Sequence, residues 1–297
     1  RPGFSKTLDD LEMLGSPATW NTDWQEKILQ YFNFSEEAAH KELADFLENQ
    51  VADYDENRNL MAIDGTSKLS PYYRLGLLSI TKAFFETEKA KKHQQNTEGY
   101  DTYQAELLWR EFAYYSMYHF PKMVDTDCNE KFKDYNWSSS KKDFEAWTKG
   151  ETGYPIVDAA MKQLWETGWM HNRLRMIVGS FLTKDLHIDW REGAKWFEDT
   201  LFDADLQSNR MGWQWVAGSG FDASPFFRIF NPTTQSEKFD KQAQFITKWL
   251  PMLNQLDKKE IHAPYDKDQK KVIDYPKPIC NHKQAREEAL ARYSEIK

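Results

Sequence analysis

Cysteine is nearly missing from this 297-residue chain: Cys128 and Cys280 stand far apart and supply neither a CxxC pair nor a disulfide framework. That usage excludes a stapled secreted scaffold and fits a reducing cytosol. No apolar run of about 18 residues and no signal-peptide pattern occurs, which argues against a membrane span and against secretion. A Gly-x-Gly-x-x-Gly phosphate loop and a regular repeat are also missing, and the seven histidines show no HExxH or other persuasive metal-ligand spacing. Positive charge is in deficit as well. The net charge of −8 means that any nucleic-acid contact needs a concentrated basic groove, with the acidic residues on another face.

Aromatic residues are plentiful. Trp, Tyr and Phe number 12, 14 and 19, and such rings can fill a helical core, stack on a cofactor or nucleobase, or pass electrons between neighbours. With 40% hydrophobic and 29% charged residues, the chain reads as a globular protein with one substantial core. It starts at Arg1 rather than methionine and reads as a fragment.

Residues 1–30 read as a linker and approach segment, and 31–297 as an all-α domain. Ser35 caps a helix whose apolar face is Ala39, Leu43, Phe46, Leu47 and Val51, with Glu36 and Glu37 at its positive end. Asp64-Gly65-Thr66 breaks the chain before helices expected over 71–88 and 101–118. The polar stretch 121–150 reads as less regular. Stronger patterns follow over 152–169 and through Leu174, Ile177, Val178, Phe181 and Leu182, and Asp189 with Glu192 offers a capping box. Gly212, Gly218 and Gly220 break the periodicity of 203–224. Phe239, Ala243, Ile246, Trp249 and Leu250 predict a helix ending near Pro251, then a polar surface segment over 252–280 and a terminal helix over 281–295.

Three groups of residues can carry chemistry. Glu106, Trp109 and Arg110 fall at helical offsets that bring an acceptor, a stacking ring and a bidentate donor near one face; this suits a planar polar ligand or a structural cluster equally. Trp213 and Trp215 point away from each other on a helix and can serve as core wedges, or as a buried redox ring and an exposed base-stacking ring. Asn209 offers a neutral amide to a redox ring, while Asp203 and Asp205 can accept from a cofactor or an arginine, or can tie down their turn. His171 alone reads as a helix cap or a satisfied buried donor.

The strings Asp64-Gly65-Thr66-Ser67-Lys68-Leu69-Ser70-Pro71, Leu108-Trp109-Arg110-Glu111-Phe112, Thr152-Gly153-Tyr154-Pro155-Ile156-Val157-Asp158-Ala159-Ala160, Trp169-Met170-His171-Asn172-Arg173-Leu174-Arg175-Met176 and Gly212-Trp213-Gln214-Trp215 resemble the flavin domain of the photolyase/cryptochrome family. The likeness runs over about 31–295, includes Phe226 to Pro232, and is strongest to class I cyclobutane pyrimidine dimer photolyases. It implies the family's helical domain without the N-terminal α/β antenna domain, which would pack on this part. It also implies noncovalent FAD, a monomer and a cytoplasmic site of action on cellular DNA, and leaves the antenna chromophore open.

On this resemblance, Tyr54, Thr66, Ser67, Leu69 and Ser70 form the phosphate and adenine end of the FAD pocket. Arg110, Asn172, Arg175, Asp203, Asp205 and Asn209 organise the rest, with Arg175 paired to Asp203 and Asn209 facing flavin N5. Light-excited FADH− passes an electron to a cyclobutane dimer flipped out of DNA, the dimer splits and the electron returns. Trp109 and Trp215 wall the dimer, Glu106 accepts from a base, and Asn172 and Met176 define the cavity. Trp213, Trp190 and Trp137 would photoreduce resting flavin, and Arg173, Arg228 and Lys238 would grip phosphates. Three departures stand out: Lys68 for the usual arginine, Tyr103 for a common tryptophan, and Arg210-Met211 before Trp213. A cryptochrome-like photoreceptor and a noncatalytic DNA-binding fragment are the alternative readings.

Overall fold

The computed structural model describes residues 30–222, 227–265 and 274–296, and among these it forms helices and no strand beyond one isolated bridge, Ser138 to Ile188. The approach segment, apart from Gln30, lies outside the described residues, as does Phe226. By its contacts the chain divides into units Arg1–Asn33 and Phe34–Lys297, the second of which holds the described helices.

Two apolar cores organise that unit. The smaller one gathers helices α1 (Glu36–Asn49), α2 (Tyr54–Asn57), α3 (Ser70–Leu75), α4 (Ile80–Lys91) and the first half of α5 (Glu98–His119). Ser35 caps α1 as expected, its hydroxyl accepting from Ala38 N at 3.1 Å, and Ala39, Leu43 and Phe46 face inward. The single helix expected over 71–88 is instead two. Gly76 at φ +73° takes the left-handed turn that ends α3, and Ser79 restarts the chain as the cap of α4.

The larger core gathers α6 (Lys141–Lys149), α7 (Pro155–Thr167), α8 (Asn172–Ser180), a π turn over Phe181–Asp185, α9 (Trp190–Thr200), α10 (Leu206–Ala217) and α12 (Gln244–Trp249). Side chains such as Leu164, Ile177, Phe181 and Leu182 are fully enclosed, each contributing about 1.5–3 kcal/mol by leaving water. The expected helix over 239–250 is divided between α11 (Pro232–Phe239) and α12, because Ala243 turns into the left-handed region at φ +53°. Short α13 (Lys258–Ile261) interrupts the polar segment, and α14 (His282–Glu295) closes the chain.

Two further expectations need correction. Asp189 caps α9 by accepting from Arg191 N at 2.9 Å, while Glu192 pairs with Lys195 at 3.8 Å rather than closing a capping box. Residues 206–217 form one continuous helix through Gly212, where a Cβ would meet nothing within 4 Å; the true stop is Gly218, at φ +92°.

The Thr152 to Ala160 string proves to be a structural knot. Asp158, wholly buried, accepts from Thr152 N (2.8 Å), Thr152 Oγ1 (2.6 Å), Gly153 N (3.0 Å) and the Tyr275 hydroxyl. Gly153 has φ +78°, and a Cβ there would sit 2.3 Å from Pro278 N, so glycine lets the segment before α14 lie against the start of α7. Fully buried Lys184, in the π turn, donates to Ala217 O and faces the Phe227 ring at 3.3 Å, fixing the end of α10.

Candidate functional site

A cavity of about 550 Å³ has its wall supplied largely by α5, α8, α9, the 201–205 turn and α10. That size falls in the range of small-molecule and cofactor sites, roughly 300–1,000 Å³. Glu106, Trp109, Asn172, Met176, Asn209, Trp213 and Trp215 all line it, together with Arg175, Asp203 and Asp205. Helical offsets explain the convergence. Glu106 and Trp109 share a face of α5, Asn172 and Met176 a face of α8, and Asn209 stands one turn before Trp213 on α10.

Both aspartates line the cavity, and Asp205 also caps a helix. Asp205 is the N-cap of α10, accepting from Ser208 N at 2.8 Å, and it also binds Arg110 at 2.8 Å and the Tyr114 hydroxyl. Asp203 Oδ2 joins Arg175 at 2.7 Å and Ser70 Oγ at 2.6 Å, which realises the expected Arg175–Asp203 pair. Arg175 Nε donates to Met170 O at 2.8 Å, so the guanidinium is held at both ends.

Polar atoms on this wall are left for a ligand. Asp203 Oδ1, Ser208 Oγ and Trp213 Nε1 are buried without a protein partner, a cost of about 1–3 kcal/mol each that a polar cofactor would relieve. Asn209 Nδ2 donates to Ala194 O at 2.9 Å and to Glu198 Oε1 at 3.2 Å, which commits the nitrogen and leaves the carbonyl oxygen as the free end of the amide. These donors and acceptors, set among aromatic walls, fit a large planar cofactor such as FAD. Cys128 also lines the cavity, but burial pushes its thiol up to about 11, so it presents no thiolate.

Other expected residues stand back from the cavity. Tyr54 is buried in the smaller core, edge-on to Phe46 and Tyr103, and Leu69 is fully enclosed there. Thr66 and Ser67 lie in the loop before α3 and do not line the cavity, whereas Ser70 reaches it through Asp203. The three departures each have a partner: Lys68 pairs with Asp64 at 2.8 Å, the Tyr103 hydroxyl meets that of Tyr73 at 2.7 Å, and buried Arg210 binds Glu198 at 2.9 Å. Arg210 therefore laces α9 to α10.

A second cavity of about 300 Å³ adjoins the first, sharing Asn172 and Met176 and adding Arg58, Asn59 and Arg173. Arg58 binds Glu106 at 2.6 Å and lies 5.4 Å from the Tyr54 ring. Arg173 donates to Asn59 Oδ1 at 3.2 Å and stacks over Phe239 at 3.9 Å. Lys238 shares the Phe239 ring at 5.1 Å, and exposed Arg228 lies 5.7 Å from Trp215. His171 caps α8, its Nδ1 accepting from Arg173 N at 3.2 Å. Burial, aided by Arg173, Arg175 and Arg58, pushes its imidazole down to about 4, which keeps it neutral.

The three expected electron-carrying tryptophans lie on connected elements. The Trp213 ring packs on Gly193, three residues after Trp190 in α9, and Ser138, next to Trp137, bonds His187 O at 2.6 Å just ahead of that helix. Sequence reasoning missed Arg58, Tyr114, Asp127 and Gln214. Tyr114 was findable, because it follows Arg110 by one helical turn; the other three act on partners distant in the chain.

Residues 103–295 match the family described as the FAD binding domain of DNA photolyase. A deoxyribodipyrimidine photo-lyase of Agrobacterium fabrum is 45% identical over 283 residues, covering 93% of this chain and 59% of that protein. A bacterial class III photolyase from Agrobacterium tumefaciens superposes with a TM-score of 0.89 at 42% identity, over 98% of this chain and 61% of the other. A Synechocystis cryptochrome superposes with a TM-score of 0.83 at 35% identity, over 88% and 56%. This chain thus spans less than two thirds of each relative, and the class III neighbour means that the class I likeness is not carried into the assignment. On the match over 103–295, the chain belongs to the family of the FAD-binding domain of DNA photolyase.

Proposed function

We propose that this chain is the cofactor- and lesion-binding part of a light-driven enzyme that splits cyclobutane pyrimidine dimers in cellular DNA, working in the cytoplasm. One observation carries the reading: the residues expected on the cofactor side (Arg175, Asp203, Asn209) and those expected on the lesion side (Glu106, Trp109, Met176, Trp215) line the same cavity. Fully reduced FAD, when bound, supplies the light absorption and the electron that opens the dimer. The protein supplies proximity, orientation and a fixed electrostatic environment.

Arg175, Asp203 and Asp205 would hold the cofactor's polar groups, and the Asn209 carbonyl would offer its redox ring a neutral acceptor. Trp109, which is 43% exposed, and half-buried Trp215 give a flipped dimer two flat walls at the cavity mouth. Glu106, held by Arg58 at 2.6 Å, presents an acceptor to a base edge. Arg173 in the adjoining cavity, Lys238 on the Phe239 ring it shares, and Arg228 beside Trp215 grip phosphates, which gives an acidic protein a local basic grip. Trp213, Trp190 and Trp137 carry the electron that reduces resting flavin. The protein acts as a monomer, with the antenna domain that the family resemblance implies packed on it.

The test is anaerobic blue-light treatment of a defined cyclobutane thymine dimer by flavin-loaded, chemically reduced protein. Recovery of two intact thymines supports repair. Tight FAD binding without recovery sinks it and favours a photoreceptor, the reading that the likeness to a cryptochrome supports.

A further inference from the structure

The Trp190 indole is fully buried, and its N–H donates to Asp127 Oδ1 at 2.9 Å. The Asp127 carboxylate is itself enclosed, and its other oxygen is fixed by Arg191 at 2.6 Å. Arg191 is in turn held by Asp189 at 3.0 Å and by Asp125 O at 2.6 Å. Around the Trp190 ring this leaves two carboxylates against one guanidinium, the latter 4.7 Å from the ring. Trp213 has no such support, because its Nε1 is buried without a protein partner.

The two rings therefore differ in how well they tolerate losing an electron. A carboxylate hydrogen-bonded to an indole N–H stabilises positive charge on that ring, and does so strongly in a site shielded from water. We propose that Asp127 is a positioning residue of the electron route: by holding the Trp190 N–H, it stabilises the one-electron-oxidised form of Trp190 and draws the hole outward from Trp213. This rests on the electron-route reading given above.

With oxidised FAD bound and excited by light, Trp213 would give it one electron and Trp190 would give one electron to oxidised Trp213, so that one positive charge resides on Trp190. Trp137, and finally an external one-electron reductant such as a thiol, refill Trp190. No heavy-atom bond breaks. The indole proton shifts along its hydrogen bond toward Asp127 while the ring is oxidised and returns when it is refilled.

The experiment uses transient absorption on the flavin-loaded, oxidised protein, with Trp190→Phe, Asp127→Asn and Asp127→Glu. Asp127→Asn keeps an acceptor for the indole but removes the charge. It is expected to lower the yield of long-lived oxidised tryptophan on the order of tenfold, with Asp127→Glu restoring most of it. In the dark, the Trp190 indole proton, identified by its loss in Trp190→Phe, should resonate well downfield in the parent protein and move upfield in Asp127→Asn. If Trp190→Phe leaves photoreduction at the parent level, the electron route itself is overturned. If Trp190→Phe abolishes photoreduction while Asp127→Asn matches the parent protein, the role of Asp127 alone is overturned. Should Asp127→Asn fail to retain flavin, Arg191→Gln tests the claim from the opposite side. Removing that cation should prolong the oxidised tryptophan, and a shorter lifetime would overturn the proposal.

Discussion

Arg58 and Glu106 meet at 2.6 Å across 48 residues of chain, and their pair stands on the partition between the two cavities. Both side chains are partly exposed, so the pair contributes on the order of 1 kcal/mol to stability. Its larger effect is on the site. Arg58→Gln should leave the melting temperature within a few degrees of the parent while lowering dimer repair several-fold, because Glu106 loses its fixed orientation. A variant that repairs at the parent rate would show that Glu106 needs no such partner.

Gly193 and Trp213 make a second, tighter relationship. A Cβ at position 193 would sit 2.2 Å from the Trp213 ring and 2.6 Å from Leu182 Cδ2. Gly193→Ala should therefore cost about 1–3 kcal/mol through overpacking. Because Trp213 lines the cavity, bound flavin should also be lost more readily, as read by absorbance after gel filtration. Unchanged thermal unfolding would contradict the packing argument.

The neutral state of His171 predicts a dependence on pH. Its folded value of about 4 lies below the ordinary 6.5, so the unfolded chain binds more protons between the two. The contribution of His171 is thus fully present above about 6.5 and lost as pH falls toward 4, with a ceiling of about 3 kcal/mol. His171→Asn, which keeps a side-chain cap for α8, should flatten this part of the denaturant-midpoint curve against pH.

Binding to dimer-containing DNA should weaken as salt rises. Arg173→Ala, Arg228→Ala and Lys238→Ala should each reduce the slope of log affinity against log salt by about 1 if each neutralises one phosphate. Filter binding at several salt concentrations gives the slope directly, and an unchanged slope removes that residue from the phosphate-binding set.

What was legible in the sequence were the long helices with unbroken apolar stripes. The four-residue spacing of Leu164 with Ala160 and the run through Ile177 and Phe181 located α7 and the α8 segment, because one face packs wholly inside. Gly212 misled because a glycine inside a helix offers no periodic side chain, yet its neighbours Arg210, Trp213 and Gln214 are buried and hold the helix together. Ala243 misled in the opposite sense. Nothing in an alanine signals a left-handed turn, and Asp240, which accepts from Phe245 N at 3.1 Å and Ile246 N at 3.0 Å, stabilises the new helix start.

The cavity wall was legible where several members shared a helix, and its supports were not. Arg58 and Asp127 act on Glu106 and Trp190, which lie 48 and 63 residues away, so no local spacing reveals them. The Tyr54 to Leu69 group was expected at the cofactor from the family likeness, whereas Tyr54 and Leu69 are enclosed in the smaller core.

Trp213, Gln214 and Trp215 are successive residues on α10, and the middle one, fully buried, ties Met123 O, Thr126 O and Cys128 N to the helix through its amide. Each step along a helix turns the side chain by about 100°. A single turn therefore serves the inner ring, the loop that carries Asp127, and the outer wall. Any rotation of that helix shifts all three together, so adaptation at the outer wall is constrained by what the inner ring and the Asp127 loop can accept.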